Sequence, residues 1–512
     1  MFITTGTRWR RYILIVLLVL TGLSLRLTHP VGAQEAQSAG KWVQFDPGGT
    51  IPLVALGLSP DWPLDPTILA ARSRGDRRNP QERDLVRSID GGATWVRLAD
   101  PGFTIDRLIV TGKRPDGRIV FATQWRYSTD ENDGALYRSA DGGESWQHAF
   151  TFSRTSPGDA TAPEIIVSPG FETDGIVFAI DSGLLYESRD AGLTWAKVAT
   201  DSGQRIHQLV FSPAFSRDAT IFLALSTGPL TWPMHAPRSM DEPLATAHEQ
   251  SLGVLRSTDG GASWQQTAMG LEVDGGPFRQ VWNLAISPTF DQDRTLFAFS
   301  WGPWAPVQSD DGPDASSTSR TVRTGLFRSS DAGETWSAVL VTPASRTLPD
   351  GYRATMSLSR DFSSDRWGAL NLNWYSLYYR SAQCSVYRTA DGGTTWERMP
   401  APEIAATRLC WEFHGGQIGQ QRVLLALQPG AGIGGPAVWW ISADDGATWN
   451  ALDFPEPLQY GRIGPIVARD GTIFFGGAGG LWMLGAGASP PGEHPLSTAG
   501  DEQPNDLGSP QP

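Results

Sequence analysis

The chain has 512 residues, 10% aromatic and 19% charged, with a formal net charge of −13. A surface this acidic argues against general nucleic-acid binding. Two cysteines, Cys384 and Cys410, cannot by themselves build a structural zinc site or an iron–sulfur cluster.

In chain order, Arg8, Arg10 and Arg11 precede an apolar run from Ile13 to Leu25 and a small-residue stretch ending at Ala33. This pattern predicts a signal peptide over residues 1–33, and hence a secreted or extracytoplasmic protein with no stable membrane insertion after cleavage. The run is short of the roughly 20 residues that a spanning helix needs, with a retained signal anchor as the alternative. Cleavage would remove four arginines and no acids, taking the net charge from −13 to −17. In an oxidising compartment Cys384 and Cys410 could pair, and two buried thiols fit the sequence equally well.

Residues 41–486 carry a repeat. One pattern recurs seven times: SIDGGATW (Ser88 to Trp95), SADGGESW (Ser139 to Trp146), SRDAGLTW (Ser188 to Trp195), STDGGASW (Ser257 to Trp264), SSDAGETW (Ser329 to Trp336), TADGGTTW (Thr389 to Trp396) and SADDGATW (Ser442 to Trp449). Each follows an apolar strand and supplies what a hairpin turn needs. Asp accepts from the backbone amides that follow it, Gly takes positive φ, and Trp opens the return strand. A second piece, beginning at Ser168, Ser212 and Ser287 and more loosely at Ser59, reads SPxFxxD and leads into a β-branched and aromatic strand. Four strands per unit follow. Unit starts fall near residues 51, 104, 163, 205, 279, 353, 408 and 462.

Eight starts but seven turn motifs leave the last unit one strand short. KWVQFD, Lys41 to Asp46, resembles the fourth strands of the other units and lies at the opposite end of the chain. The expectation is an all-β fold: a single β-propeller of about eight four-stranded blades, with the N- and C-terminal strands closing the last blade. Seven blades is the alternative. Residues 487–512, rich in Gly, Pro, Ser and acids, are expected to be disordered.

The turn motif resembles the Asp-box, or BNR, repeat of sialidases, sortilin-type receptors and photosystem II assembly factors. That resemblance implies a propeller in which the box joins the third and fourth strands of each blade, away from any catalytic centre. Asp90, Asp141, Asp190, Asp259, Asp331, Asp391 and Asp444 are therefore expected to be structural. A calcium loop would need further oxygen ligands that these short turns lack.

Given a propeller, strand alternation places the boxes and SPxFxxD turns on one face. The loops between second and third strands share the other face with the inter-blade connections. This loop face carries the long segments Ser226 to Gly253 and Ser300 to Gly325, and many aromatics: Trp125, Trp232, Trp301, Trp304 and Trp374. Exposed, they would stack on sugar rings or anchor a protein; packed together, they would close the face. Arg107, Arg205, Arg279, Arg353, Arg408 and Arg462 recur near inner-strand starts and could bind an anionic ligand, although with only three lysines in the chain Arg is the default cation.

The sialidase signature Arg-Ile-Pro is absent, so that activity does not carry over. For a glycosidase of another kind, Asp106 and Glu164 are the best carboxylate candidates on the loop face, and solvated or Arg-paired carboxylates are the plainer reading. His148, His207 and His414 form no metal-spaced pair, and neither a metal nor a cofactor is expected. The sequence thus points to an exported non-catalytic propeller that binds a protein or polysaccharide, an anionic one included, with glycoside hydrolysis as the alternative.

Overall fold

The computed structural model describes residues 40–45, 53–76, 79–115, 117–124, 134–152, 163–200, 204–227, 251–274, 276–302, 305–306, 320–321, 323–342, 351–376, 381–400, 413–418, 421–428, 438–452, 463–468, 470–477, 480–486 and 497–498. Among them are eight sheets that each contain a four-stranded antiparallel meander, the blades of a propeller. The inner strands are Leu53–Leu58, Arg107–Arg114, Glu164–Val167, Arg205–Phe211, Gln280–Ile286, Gly351–Leu358, Phe413–Ile418 and Ile463–Val467, opening blades 1 to 8 in turn. Among the described residues no helix is long and apolar enough to cross a membrane.

The ring closes as the sequence predicts. Gly40–Phe45 pairs antiparallel with Gly480–Ala486, from Gly40 opposite Ala486 to Phe45 opposite Leu481, and supplies the fourth strand of blade 8. This settles the count at eight. It also leaves no blade with an open seam at the chain ends. Within the tail expected to be disordered, Ser497–Thr498 pairs parallel with Val96–Arg97 at the outer edge of blade 1.

Every blade must bury both faces of its sheet, and the apolar residues divide accordingly into eight clusters, one at each blade interface. Most SPxFxxD segments contribute through an element the sequence reading missed. In blades 3 to 5 the segment forms a single helical turn, Phe171–Asp174, Phe215–Asp218 and Phe290–Asp293, and in blade 6 the related SRDFSSD segment from Ser359 forms another, Phe362–Asp365. Its Phe is buried, and its Asp accepts from the hydroxyl of the serine three residues before that Phe at 2.6–2.7 Å. Four residues are too few for a helical period to register in a sequence.

The buried Phe acts as a wedge. Phe171 meets Phe121 of the preceding blade edge to face at 6.2 Å, Phe290 meets Phe222 at 5.9 Å, and Phe362 meets Phe297 at 6.2 Å. In blade 1 Trp62 takes the place of the Phe and packs on Phe474 of blade 8 at 5.1 Å. Each ring pair removes several apolar faces from water at once, worth about 2–3 kcal/mol per large side chain.

The seven boxes are nearly superimposable in their bonding. The Ser or Thr hydroxyl donates to Asp Oδ1 at 2.7–2.8 Å and accepts from the backbone N–H four residues on at 2.7–2.9 Å. Asp Oδ1 and Oδ2 then accept from the backbone N–H and hydroxyl of the residue before Trp, as for Asp331 with Thr335 at 3.0 and 2.5 Å. The residue after Asp has positive φ: 76° at Gly91, and 59° at Ala191, where a side chain is tolerated. Its N–H reaches across to the turn after the inner strand, as Ala191 does to the Gly175 carbonyl at 2.9 Å.

Candidate functional site

The boxes of the turn face are chemically closed. Each box carboxylate is held below its ordinary pKa. For Asp90, burial works upward and is outweighed by hydrogen bonds from Thr94 and Ser88. Hydrogen bonds from Ser263 take Asp259 down to about 2. Asp391 also falls to about 2, against the upward push of burial, through bonds from Thr395, Thr389 and Thr394. Carboxylates so fully committed to their own turns are poor acids, bases or ligands.

The loop face differs. The inner strands of blades 1, 4 and 5 each slip one residue against their neighbours, skipping Val54, His207 and Trp282. A bulge re-aims the extra side chain. In blades 4 and 5 the two re-aimed side chains meet: the His207 imidazole stacks on Trp282 with centroids 4.1 Å apart, and Trp282 stacks on Trp301 at 5.0 Å. Trp301 ends the second strand of blade 5 and is 5% exposed; Trp282 is half-buried above it. Of the aromatics predicted for this face, Trp301 is thus a support beneath Trp282, a residue the sequence reading did not single out. Trp125, Trp232 and Trp304 lie outside the described residues, as does the Trp374 side chain.

His207 Nε2 lies 2.5 Å from the buried Ser226 hydroxyl. Burial, with help from the Arg205 guanidinium, lowers the imidazole to about 4, so the ring is neutral across the physiological range.

Next to this stack, the short blade 3 lowers the rim. Its second and third strands join through Ser182 and Gly183, both at positive φ, and the Ile206 N–H of blade 4 donates to the Gly183 carbonyl at 3.0 Å. A Cβ on Gly183 would sit 2.9 Å from that of Arg205, so the turn and the arginine stem are in close contact. Glu164, which opens blade 3, is exposed; desolvation by the surrounding protein raises its carboxyl above the ordinary range, against the opposing pull of Arg107 from blade 2. Asp181, 2% exposed at the end of the second strand, adds to burial in pushing the Tyr186 hydroxyl up.

The predicted arginines therefore divide. Arg107 is exposed and faces Glu164 electrostatically, while Arg205 is half-buried between the blade 3 turn and His207. Arg279 is half-buried, with its backbone carbonyl accepting from Ser251 at 2.5 Å. Arg353 stands in the inner strand of blade 6, its side chain outside the described residues, as are Arg408 and Arg462 altogether. Of the two candidate acids, Asp106 is half-buried with its backbone N–H bonded to Thr123, and Glu164 alone carries a raised carboxyl at the rim. The Cys384 side chain and Cys410 also lie outside the described residues. Among the described residues no three His, Cys, Asp or Glu side chains converge as a metal site would require.

Fold and turns define the class: an all-β, eight-bladed propeller of four-stranded antiparallel sheets carrying Asp-box-type turns. No protein-family model matches the chain. In sequence it is similar to a xyloglucanase of a Paenibacillus species, 26% identical over 367 residues that cover 66% of this chain and 31% of that enzyme. A xyloglucanase of Hypocrea jecorina is 26% identical over 292 residues, covering 55% of this chain and 31% of the enzyme. The chain thus spans under a third of the length of these curated relatives. Among solved structures, YCF48 from Cyanidioschyzon merolae aligns over 86% of this chain and 98% of its own, at 12% identity and a TM-score of 0.34.

Proposed function

We propose that the protein is an exported propeller that binds an uncharged plant-type β-glucan, such as xyloglucan, across the loop-face mouth of blades 2 to 5. The carrying observation is the His207–Trp282–Trp301 stack, a neutral, layered aromatic platform on the same face as the polar pair Arg107 and Glu164. A few oriented polar groups around an apolar platform is the composition of a sugar site. Similarity to proteins named as xyloglucanases supports the choice of ligand.

The test is titration of purified protein with xyloglucan oligosaccharides, with reducing-sugar release measured on the polymer. The expected result is binding without release, weakened about tenfold or more by Trp282→Leu, as loss of a central aromatic anchor commonly does. Unchanged affinity in that variant would refute the assignment of the platform.

Glycoside hydrolysis is the second reading, favoured by one observation: a rim carboxyl, Glu164, raised by desolvation from the surrounding protein, the direction that suits a general acid. Release of reducing sugar that disappears in Glu164→Gln would replace the first reading by the second. Export through residues 1–33 is part of the proposal, and a mature N-terminus at Gln34 would support it.

A further inference from the structure

We infer that a cavity on the turn face, between blades 6, 7 and 8, binds a single uncharged sugar ring. It lies on the opposite face from the site proposed above and does not depend on that reading.

The cavity has a structural origin. At the interface of blades 6 and 7 both members of the aromatic wedge are missing. Phe121, Phe222 and Phe297 each pair with the arginine that precedes a box serine; the same register position in blade 6, opposite Arg388, holds Ala369. Blade 7 contributes no Phe in return: Ile418 of its first strand pairs directly with Gln421 of its second, and the two intervening residues are too few for a helical turn. The apolar cluster of this interface contains no Phe. What remains is a cavity of about 280 Å³. That volume lies at the lower end for small-molecule sites and suits one ring rather than a chain.

Its lining is polar but electrostatically paired. Arg422 lies 4.6 Å over the Trp367 ring, donates to Asp365 at 2.9 Å and to Asp445 at 3.3 Å, and so brings little free charge. Arg360 reaches over blade 7 to the Ala468 carbonyl of blade 8 with Nη2 at 3.1 Å, leaving its other donors for a ligand. Asp361 sits at the N-cap of the blade 6 helical turn, where its side chain makes no capping bond, and is exposed at the cavity. The Trp367 indole N–H is buried and has no hydrogen-bond partner among the described residues. Donors and acceptors side by side, with Arg422 neutralised by Asp365 and Asp445 and the Arg360 donors next to the Asp361 carboxylate in sequence, match vicinal hydroxyls better than an ion.

The experiment is ligand-observed saturation-transfer NMR with methyl glucoside, methyl xyloside and methyl galactoside, with acetate and glycine as charged and zwitterionic comparators. At least one glycoside should saturate with a dissociation constant in the low millimolar range, as expected of a one-ring ligand. Asp361→Ala and Arg360→Ala, both at exposed positions, should each weaken it about tenfold while leaving the melting temperature and oligosaccharide binding at the loop face unchanged. Three results would overturn the inference: no saturation by any glycoside at about 100 mM, saturation insensitive to both variants, or preferential binding of acetate or glycine.

Discussion

The two faces of the propeller are built from the same strands and obey different rules. On the turn face one arrangement of Ser, Asp and Thr is repeated seven times, each donor and carboxylate committed within its own box. Among the described residues of the loop face the blades differ: blade 3 turns in two residues, blades 4 and 5 carry bulges, and His207, Trp282 and the Glu164 carboxyl stand toward the mouth. Repetition marks what holds the ring together. Departure from it marks where a ligand can be gripped. The cavity of blades 6 to 8 extends the lesson, since the interface of blades 6 and 7 lacks the wedge found between blades 5 and 6.

This contrast predicts graded effects. Removing residues 1–47 deletes the strand that closes blade 8 and exposes the edge of Gly480–Ala486; the truncated chain should lose cooperative thermal unfolding by calorimetry. A truncated chain melting like the full one would show that the ring does not need this strand. Next in size, Phe290→Ala removes a fully buried wedge between blades 4 and 5 and should cost about 3–5 kcal/mol in urea unfolding. The same interface owes less to a single box. Asp331→Ala loses bonds at a solvent-facing turn and should cost about 1 kcal/mol.

The smallest effects separate the faces by pH. Asp259 and Asp391, at about 2 in the folded chain, contribute stability that is complete above their ordinary value near 3.8 and is lost as pH falls toward 2. His207, at about 4, favours the folded state fully above its ordinary 6.5, and this contribution is lost as pH falls from 6.5 toward 4. Glu164, held above its ordinary value near 4.5, acts in the opposite sense and costs stability as pH rises above that value. Melting temperatures should therefore fall in two stages on acidification, and His207→Gln should abolish only the first. An unchanged first stage in that variant would assign it to other groups.

Much of the fold was legible because its determinants are local and repeated. Asp-Gly followed by Thr-Trp specifies a turn wherever it occurs, and the similarity of Lys41 to Asp46 to other fourth strands disclosed the closure. The helical turns at Phe171, Phe215 and Phe290 were not legible as helices, although their SPxFxxD spelling was visible, and the turn at Phe362, spelled SRDFSSD, was not singled out. The candidate site was less accessible still. Arg107 and Glu164 were singled out from their places at inner-strand starts, but Trp282 gains its position from a bulge, which depends on pairing with the next strand rather than on any motif. Trp301, read as a loop aromatic, is the last residue of a strand and lies beneath it. The cavity of blades 6 to 8 arises from two omissions, Ala369 in place of Phe and the absent helical turn of blade 7, and omissions show only when the repeats are laid against each other in register.

The most direct test of the division between faces is a paired titration with one xyloglucan oligosaccharide, using Trp282→Leu on the loop face and Asp141→Ala on the turn face. The account predicts that Trp282→Leu binds about tenfold or more weakly while Asp141→Ala binds as the parent protein does, despite a lower melting temperature. Weakened binding in Asp141→Ala together with unchanged binding in Trp282→Leu would place the ligand on the face assigned here to structure, and would contradict the account.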